Sequence, residues 1–172
     1  MSSTLSIDIG VIVVRERSDN PWQEHVWRPD SLMLPPPDRP AWTELRRDGD
    51  AISYLAGRFP IELHRKETAS YIANLESGSP SVYVVMRDRE EGGEVPVEVA
   101  LASVSPFEMQ AYGGASGERV VALKMPSMLA ELMETFVREH HVAETFIKRQ
   151  RGRHPSGADH NFGQEPIVAV RE

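Results

Sequence analysis

A chain of 172 residues, 40% of them hydrophobic, is long enough for one domain with a real core. Its formal net charge of −7 at pH 7 argues against nucleic acid as a partner, because phosphates need a basic surface. The absence of cysteine excludes disulfides, thiolate zinc sites, iron–sulfur ligation and cysteine nucleophiles.

The N-terminal residues lack the charged start, apolar run and small-residue cleavage site of a signal peptide. The apolar run from Ile7 to Val14 is interrupted by Asp8 and is too short to span a bilayer. A cytoplasmic protein with no membrane partner is therefore expected. Leu5, Ile7, Ile9, Val11 and Val13 alternate with Ser6, Asp8 and Gly10, the period-2 pattern of a half-buried strand rich in β-branched residues. The cluster Ser18-Asp19-Asn20-Pro21 predicts a turn, and a second strand is expected through Val26 to Leu34. Pro35-Pro36-Pro37, with Pro40 following, predicts an extended connection, since proline feeds neither a helix interior nor a ladder.

Ala51 to Leu55 and Ile61 to His64 read as two short strands. Thr68 to Leu75 reads as a further strand, with a short helix through Ala69, Ile72 and Leu75 as the alternative. A hairpin follows: Val82, Val84 and Met86 alternate on one arm, and Val95, Val97, Val99 and Leu101 on the other. The charged residues Asp88 to Glu94 form its exposed loop. Ser105-Pro106-Phe107-Glu108 predicts a capped helix start, in which the Glu108 carboxylate returns to the Ser105 amide. Gly113-Gly114 then ends that helix after about two turns. After a strand from Arg119 to Lys124, an apolar stripe of Leu129, Leu132, Met133, Phe136 and Val137 at helical spacing predicts a long amphipathic helix from Ser127 to His141.

No catalytic constellation emerges. Adjacent His140 and His141 point about 100° apart on a helix and suit its C-terminal dipole better than a metal. His154, Asp159 and His160 match no ligand spacing in a glycine- and proline-rich tail, so no metal is expected. Glu90, Glu91 and Glu94 read as solvated turn residues. Gly113 to Gly117 follows a helix and precedes a strand, the reverse of a phosphate loop, so no cofactor is expected. The segments open to partner binding are three. Trp22, Trp27 and Arg28 carry residue types enriched at binding hot spots, although a tryptophan is equally a core anchor. His64 and Arg65 either line a groove or decorate an edge strand. Lys148, Arg149 and Arg151 belong to a basic tail that docks on an acidic partner or simply solubilises the chain.

Asp19-Asn20-Pro21-Trp22, Trp27-Arg28-Pro29, Glu62-Leu63-His64-Arg65, Glu67-Thr68, Tyr71 and Asn74-Leu75 occur in that order. They are followed by Tyr83-Val84-Val85, Ser105-Pro106-Phe107-Glu108, Tyr112, His140-His141-Val142 and Phe146-Ile147-Lys148-Arg149. From Ile9 to Arg149 the chain thus resembles a bacterial domain-of-unknown-function family. Its members are encoded beside molybdenum- or tungsten-dependent formate dehydrogenases and their maturation factors. Some relatives carry the label of a molybdopterin-guanine dinucleotide biosynthesis protein. Such a nucleotidyltransferase opens with a glycine-rich nucleotide loop on a doubly wound fold. The run from Ile7 to Arg15 has a single glycine and no helix after the strand.

The expected fold is α+β and mainly β, an antiparallel sheet or partly open barrel capped by a C-terminal amphipathic helix. Residues 1–147 would form one β-rich domain and residues 148–172 a flexible basic tail. The resemblance implies a non-enzymatic accessory protein that binds a formate dehydrogenase subunit or maturation factor. Two other readings stay open. One is a molybdenum-cofactor-handling enzyme or binding protein with His64, Arg65 and Trp27 in its pocket, and the other is a small structural subunit of the mature dehydrogenase.

Overall fold

A computed structural model describes residues 4–114 and 117–142. The calls on Lys148, Arg149, Arg151, His154, Asp159 and His160, and the expected boundary after residue 147, lie outside the described residues. Among the described residues, seven strands form two antiparallel sheets. The four-stranded sheet has the order β2-β1-β4-β3, built from β1 (Thr4–Arg17), β2 (His25–Met33), β3 (Thr43–Asp48) and β4 (Ala51–His64). The three-stranded sheet has the order β6-β5-β7, from β5 (Ser81–Asp88), β6 (Val97–Ser103) and β7 (Glu118–Lys124). β4 lies against β6 and β2 against β7, but neither seam is hydrogen-bonded into a ladder, so the sheets do not close into a barrel.

Period-2 burial builds the core between the sheets. Ile9, Val11 and Val13 of β1 face Val82, Val84 and Met86 of β5, all fully buried. The helix α3 (Ser127–His140) adds Leu129, Met133 and Phe136 to the same cluster, the inner part of the expected stripe. Each fully buried side chain of this size contributes about 1.5–3 kcal/mol.

Three expectations need correction. Ala51 to His64 is one strand of 14 residues, paired with β1 along nearly its whole length. Gly57 and Pro60 split it in the sequence. In the fold, Gly57 sits at a bulge with φ +152°, a conformation other side chains rarely adopt. Pro60 lies where β3 no longer flanks β4, so its missing N–H interrupts no ladder on that side. β3 was not anticipated, because an edge strand of Thr43-Glu44-Leu45-Arg46-Arg47-Asp48 has almost no apolar face. Its signal was the turn Asp48-Gly49-Asp50-Ala51, where Gly49 has φ +59° and Asp48 pairs with Ala51.

Thr68 to Leu75 is a helix, α1, entered through a single 3-10 turn at Arg65–Glu67. Its buried residues are Thr68, Ser70, Tyr71 and Asn74, while Ala69 is exposed. Of the apolar pattern only Leu75 packs against the core; the docking face is Tyr71 together with polar residues held by hydrogen bonds. Asn74 Nδ2 donates to the carbonyls of Ser81 and Val104, both at 2.8 Å, and its Oδ1 accepts the Ser81 N–H at 2.9 Å. The Ser70 and Ser105 hydroxyls are 2.8 Å apart.

Helix α2 spans only Pro106–Met109 and then tightens to i→i+3 bonds through Tyr112. Ser105 Oγ accepts the Glu108 N–H as expected, at 3.2 Å. The return half of the cap is relayed: the Ser103 hydroxyl accepts the Ser105 N–H and donates to the Glu108 carboxylate at 2.6 Å. α1 and α3 meet through Tyr71 and Phe136, with ring centroids 6.3 Å apart, and close the end of the sheets where β1 begins and β4 ends.

Candidate functional site

The opposite end of the sheets is open. β1 arrives there with Arg15, β5 ends with Asp88, and the turn from Ser18 to Glu24 leads into β2. Between these elements lies a cleft of about 1150 Å³. Trp27 from β2, Trp42 from the connection into β3, and Tyr54 from β4 form an aromatic surface along it. Tyr54 stacks on Trp27 with centroids 5.6 Å apart, and Trp42 meets Trp27 edge-on at 6.1 Å. Each such pair is worth about 0.5–1.5 kcal/mol beyond the area it buries.

Trp42 has φ +63°, the left-handed region that bulky side chains avoid. The turn enforces it: the Trp42 N–H donates to the Leu55 carbonyl, and the Thr43 hydroxyl donates to the Pro40 carbonyl at 2.7 Å. A residue held this way costs about 1–3 kcal/mol. The strain is spent on placing an indole in the cleft wall.

Four arginines reach the cleft, in two different electrostatic states. Arg28 is neutralised by Glu16 at 3.0 Å and Asp30 at 2.9 Å. Those bonds, Glu16 first, hold its guanidinium pKa above the ordinary value. Arg119 pairs with Asp88 at 3.2 Å. Arg15 and Arg89 have no ion pair among the described residues. Each instead lies over an indole, Arg15 at 5.8 Å from the Trp27 centroid and Arg89 at 5.9 Å from that of Trp42.

The residues singled out from the sequence divide between the two ends. Trp27 is buried and lines the cleft, so it is both core anchor and site residue. Trp22 is 94% exposed on the turn whose next residues, Gln23 and Glu24, form the rim. That turn is ordered: Asn20 Oδ1 accepts the Trp22 N–H at 3.0 Å, and the Ser18 N–H donates to the Glu24 carbonyl. Arg28 lines the cleft with its charge already matched. His64 and Arg65 lie elsewhere. β1 carries Arg15 opposite Ile52 and Thr4 opposite His64, so the full length of β4 separates them from Trp27, up to roughly 40 Å at strand spacing. A pocket joining His64, Arg65 and Trp27 is therefore not formed. His64 Nδ1 is instead 3.1 Å from the Thr4 hydroxyl, and its Nε2 is 3.5 Å from the Glu62 carboxylate.

Sequence reasoning missed Arg15, Trp42, Tyr54 and Arg89. For Arg15 the signal was present, since it continues the inward register of Ile9, Val11 and Val13 with a charge. The other three belong to separate segments that only the fold gathers. No group of three or more His, Asp or Glu among the described residues could hold a metal, and no helix among them is long and apolar enough to cross a membrane.

The family described as "Protein of unknown function (DUF3305)" matches residues 8–151, most of the chain, and the chain belongs to that family. No curated protein and no solved structure matches it.

Proposed function

We propose that this member of the family is an accessory protein that binds a segment of a partner protein in its aromatic cleft. The observation that carries the reading is the set of Trp27, Trp42 and Tyr54 beside Arg15 and Arg89, with the ordered and exposed Trp22 at the rim. Tryptophan, tyrosine and arginine dominate binding hot spots because they offer large contact area and charge at low entropic cost. An exposed tryptophan has no folding role to explain it. The cleft exceeds the usual 300–1,000 Å³ of a small-molecule pocket, and its walls Gln23, Glu24, Arg89 and Glu94 are exposed. An extended chain segment suits such a site better than a compact ligand.

The partner we propose is a formate dehydrogenase subunit or one of its maturation factors. Support for this comes from the resemblance of the motifs between Asp19 and Arg149 to proteins encoded beside those enzymes. Deletion of the gene should lower formate dehydrogenase activity and the molybdenum or tungsten content of the enzyme. Unchanged activity and metal content would remove this partner from the proposal while leaving the cleft to another protein.

A further inference from the structure

Resting on the partner-binding reading, we infer that Arg15 is the anion anchor of the cleft and that the bound segment carries a carboxylate beside an aromatic or long apolar side chain. The carboxylate meets the Arg15 guanidinium, and the apolar neighbour lies on the surface of Trp27, Trp42 and Tyr54.

Arg15 stands in the inward register of β1, two residues after the fully buried Val13. Its Nε is inaccessible to solvent and has no hydrogen-bond partner. A desolvated donor on a charged group left unmatched is costly, and native proteins avoid it. The chain does not lack acids with which to match it: 26 Asp and Glu outnumber 19 Lys and Arg. Arg87 shows the usual solution: its Nε also lacks a hydrogen bond, but it lies 3.9 Å from the Glu98 carboxylate, and its Nη2 is held by Glu118 at 3.0 Å. Arg28 and Arg119 are likewise matched. Arg15 alone combines an inward position, a buried nitrogen without a hydrogen bond and no ion pair among the described residues; Glu44 feels its charge but makes no contact with it.

The guanidinium presents a planar fork that a carboxylate meets with two parallel hydrogen bonds. Trp27 beneath it fixes its orientation. Glu24, Asp88 and Glu94 on the cleft walls repel a polyanion, so a single carboxylate on an otherwise apolar segment is the complementary charge.

The test is selection of a displayed random-peptide library on the immobilised full chain, its Arg15→Gln variant and its Trp42→Ala variant. Wild type should enrich peptides with Asp or Glu next to an aromatic or leucine residue. Arg15→Gln should keep the apolar preference and lose the acidic one. A selected peptide should lose affinity several-fold when its acid is changed to the amide, on wild type but not on Arg15→Gln. The peptide-side change on wild type stands even if the Arg15 variant folds poorly. Enrichment of apolar peptides without an acid preference would overturn the anchor and leave the partner-binding reading intact. Equal, unselective recovery by wild type and Trp42→Ala would overturn both. A rise in melting temperature with guanosine triphosphate that Arg15→Gln abolishes would give the anchor to a nucleotide phosphate and overturn the peptide.

Discussion

Three tryptophans in one chain have three different relations to the fold, and substitutions should separate them. Trp22 is 94% exposed, so Trp22→Ala should change stability by no more than about 0.5 kcal/mol. Trp27 is buried in the core cluster, and Trp27→Ala should cost about 3–5 kcal/mol. Urea unfolding midpoints of the two variants check the contrast. Composition alone could not rank them, because the difference lies in where the fold places each indole: Trp27 on the inner face of β2, Trp22 on an exposed turn. Tyr71 offers a second check at the same scale. Burial pushes its phenol up to about 12, partly countered by the His64 N–H, which donates to the hydroxyl at 2.9 Å. The folded state therefore holds this proton more tightly than the unfolded chain, whose ordinary value is 10.0. Its contribution is fully present below pH 10 and is lost as pH rises from there to 12. The phenolate absorbance difference between wild type and Tyr71→Phe should accordingly develop near pH 12, not near pH 10.

Elements with an apolar face or a local cap were legible, and α1, docked by long-range polar bonds, was not. β1, β2, the β5–β6 hairpin and α3 each carry a period that survives in one dimension. α1 carries its docking information in Ser70 and Asn74, whose partners are distant in sequence and invisible to any local pattern. Asn74 joins α1 to the start of β5 and to the residue after β6. Asn74→Ala would strand the Ser81 N–H and the Val104 and Ser81 carbonyls, and should lower stability by about 2–4 kcal/mol in thermal or urea unfolding. Asn74→Leu should be no better, since added apolar volume satisfies none of those groups. A loss below about 0.5 kcal/mol would show that the polar network is incidental to docking.

At the scale of the described domain, two sheets share a core, two helices close one end, and an aromatic cleft occupies the other. The mainly β class followed from alternation, whereas the unclosed seams between β4 and β6 and between β2 and β7 depend on long-range packing that no local pattern encodes. The cleft was half visible: Trp22, Trp27 and Arg28 stand out by residue type and Arg15 by its charge in an inward register, whereas Trp42, Tyr54 and Arg89 come from three separate segments that only the fold gathers. The same assembly moves His64 and Arg65 to the far end of β4, outside the site. The most direct test is affinity purification of the tagged full chain from its native host grown on formate, with wild type and Trp22→Ala compared by quantitative mass spectrometry. Because Trp22→Ala leaves the fold untouched, the account predicts that one partner is recovered in fixed stoichiometry with wild type and largely lost with the variant. Equal recovery of the same partner by both proteins, or recovery of the chain alone, would contradict it.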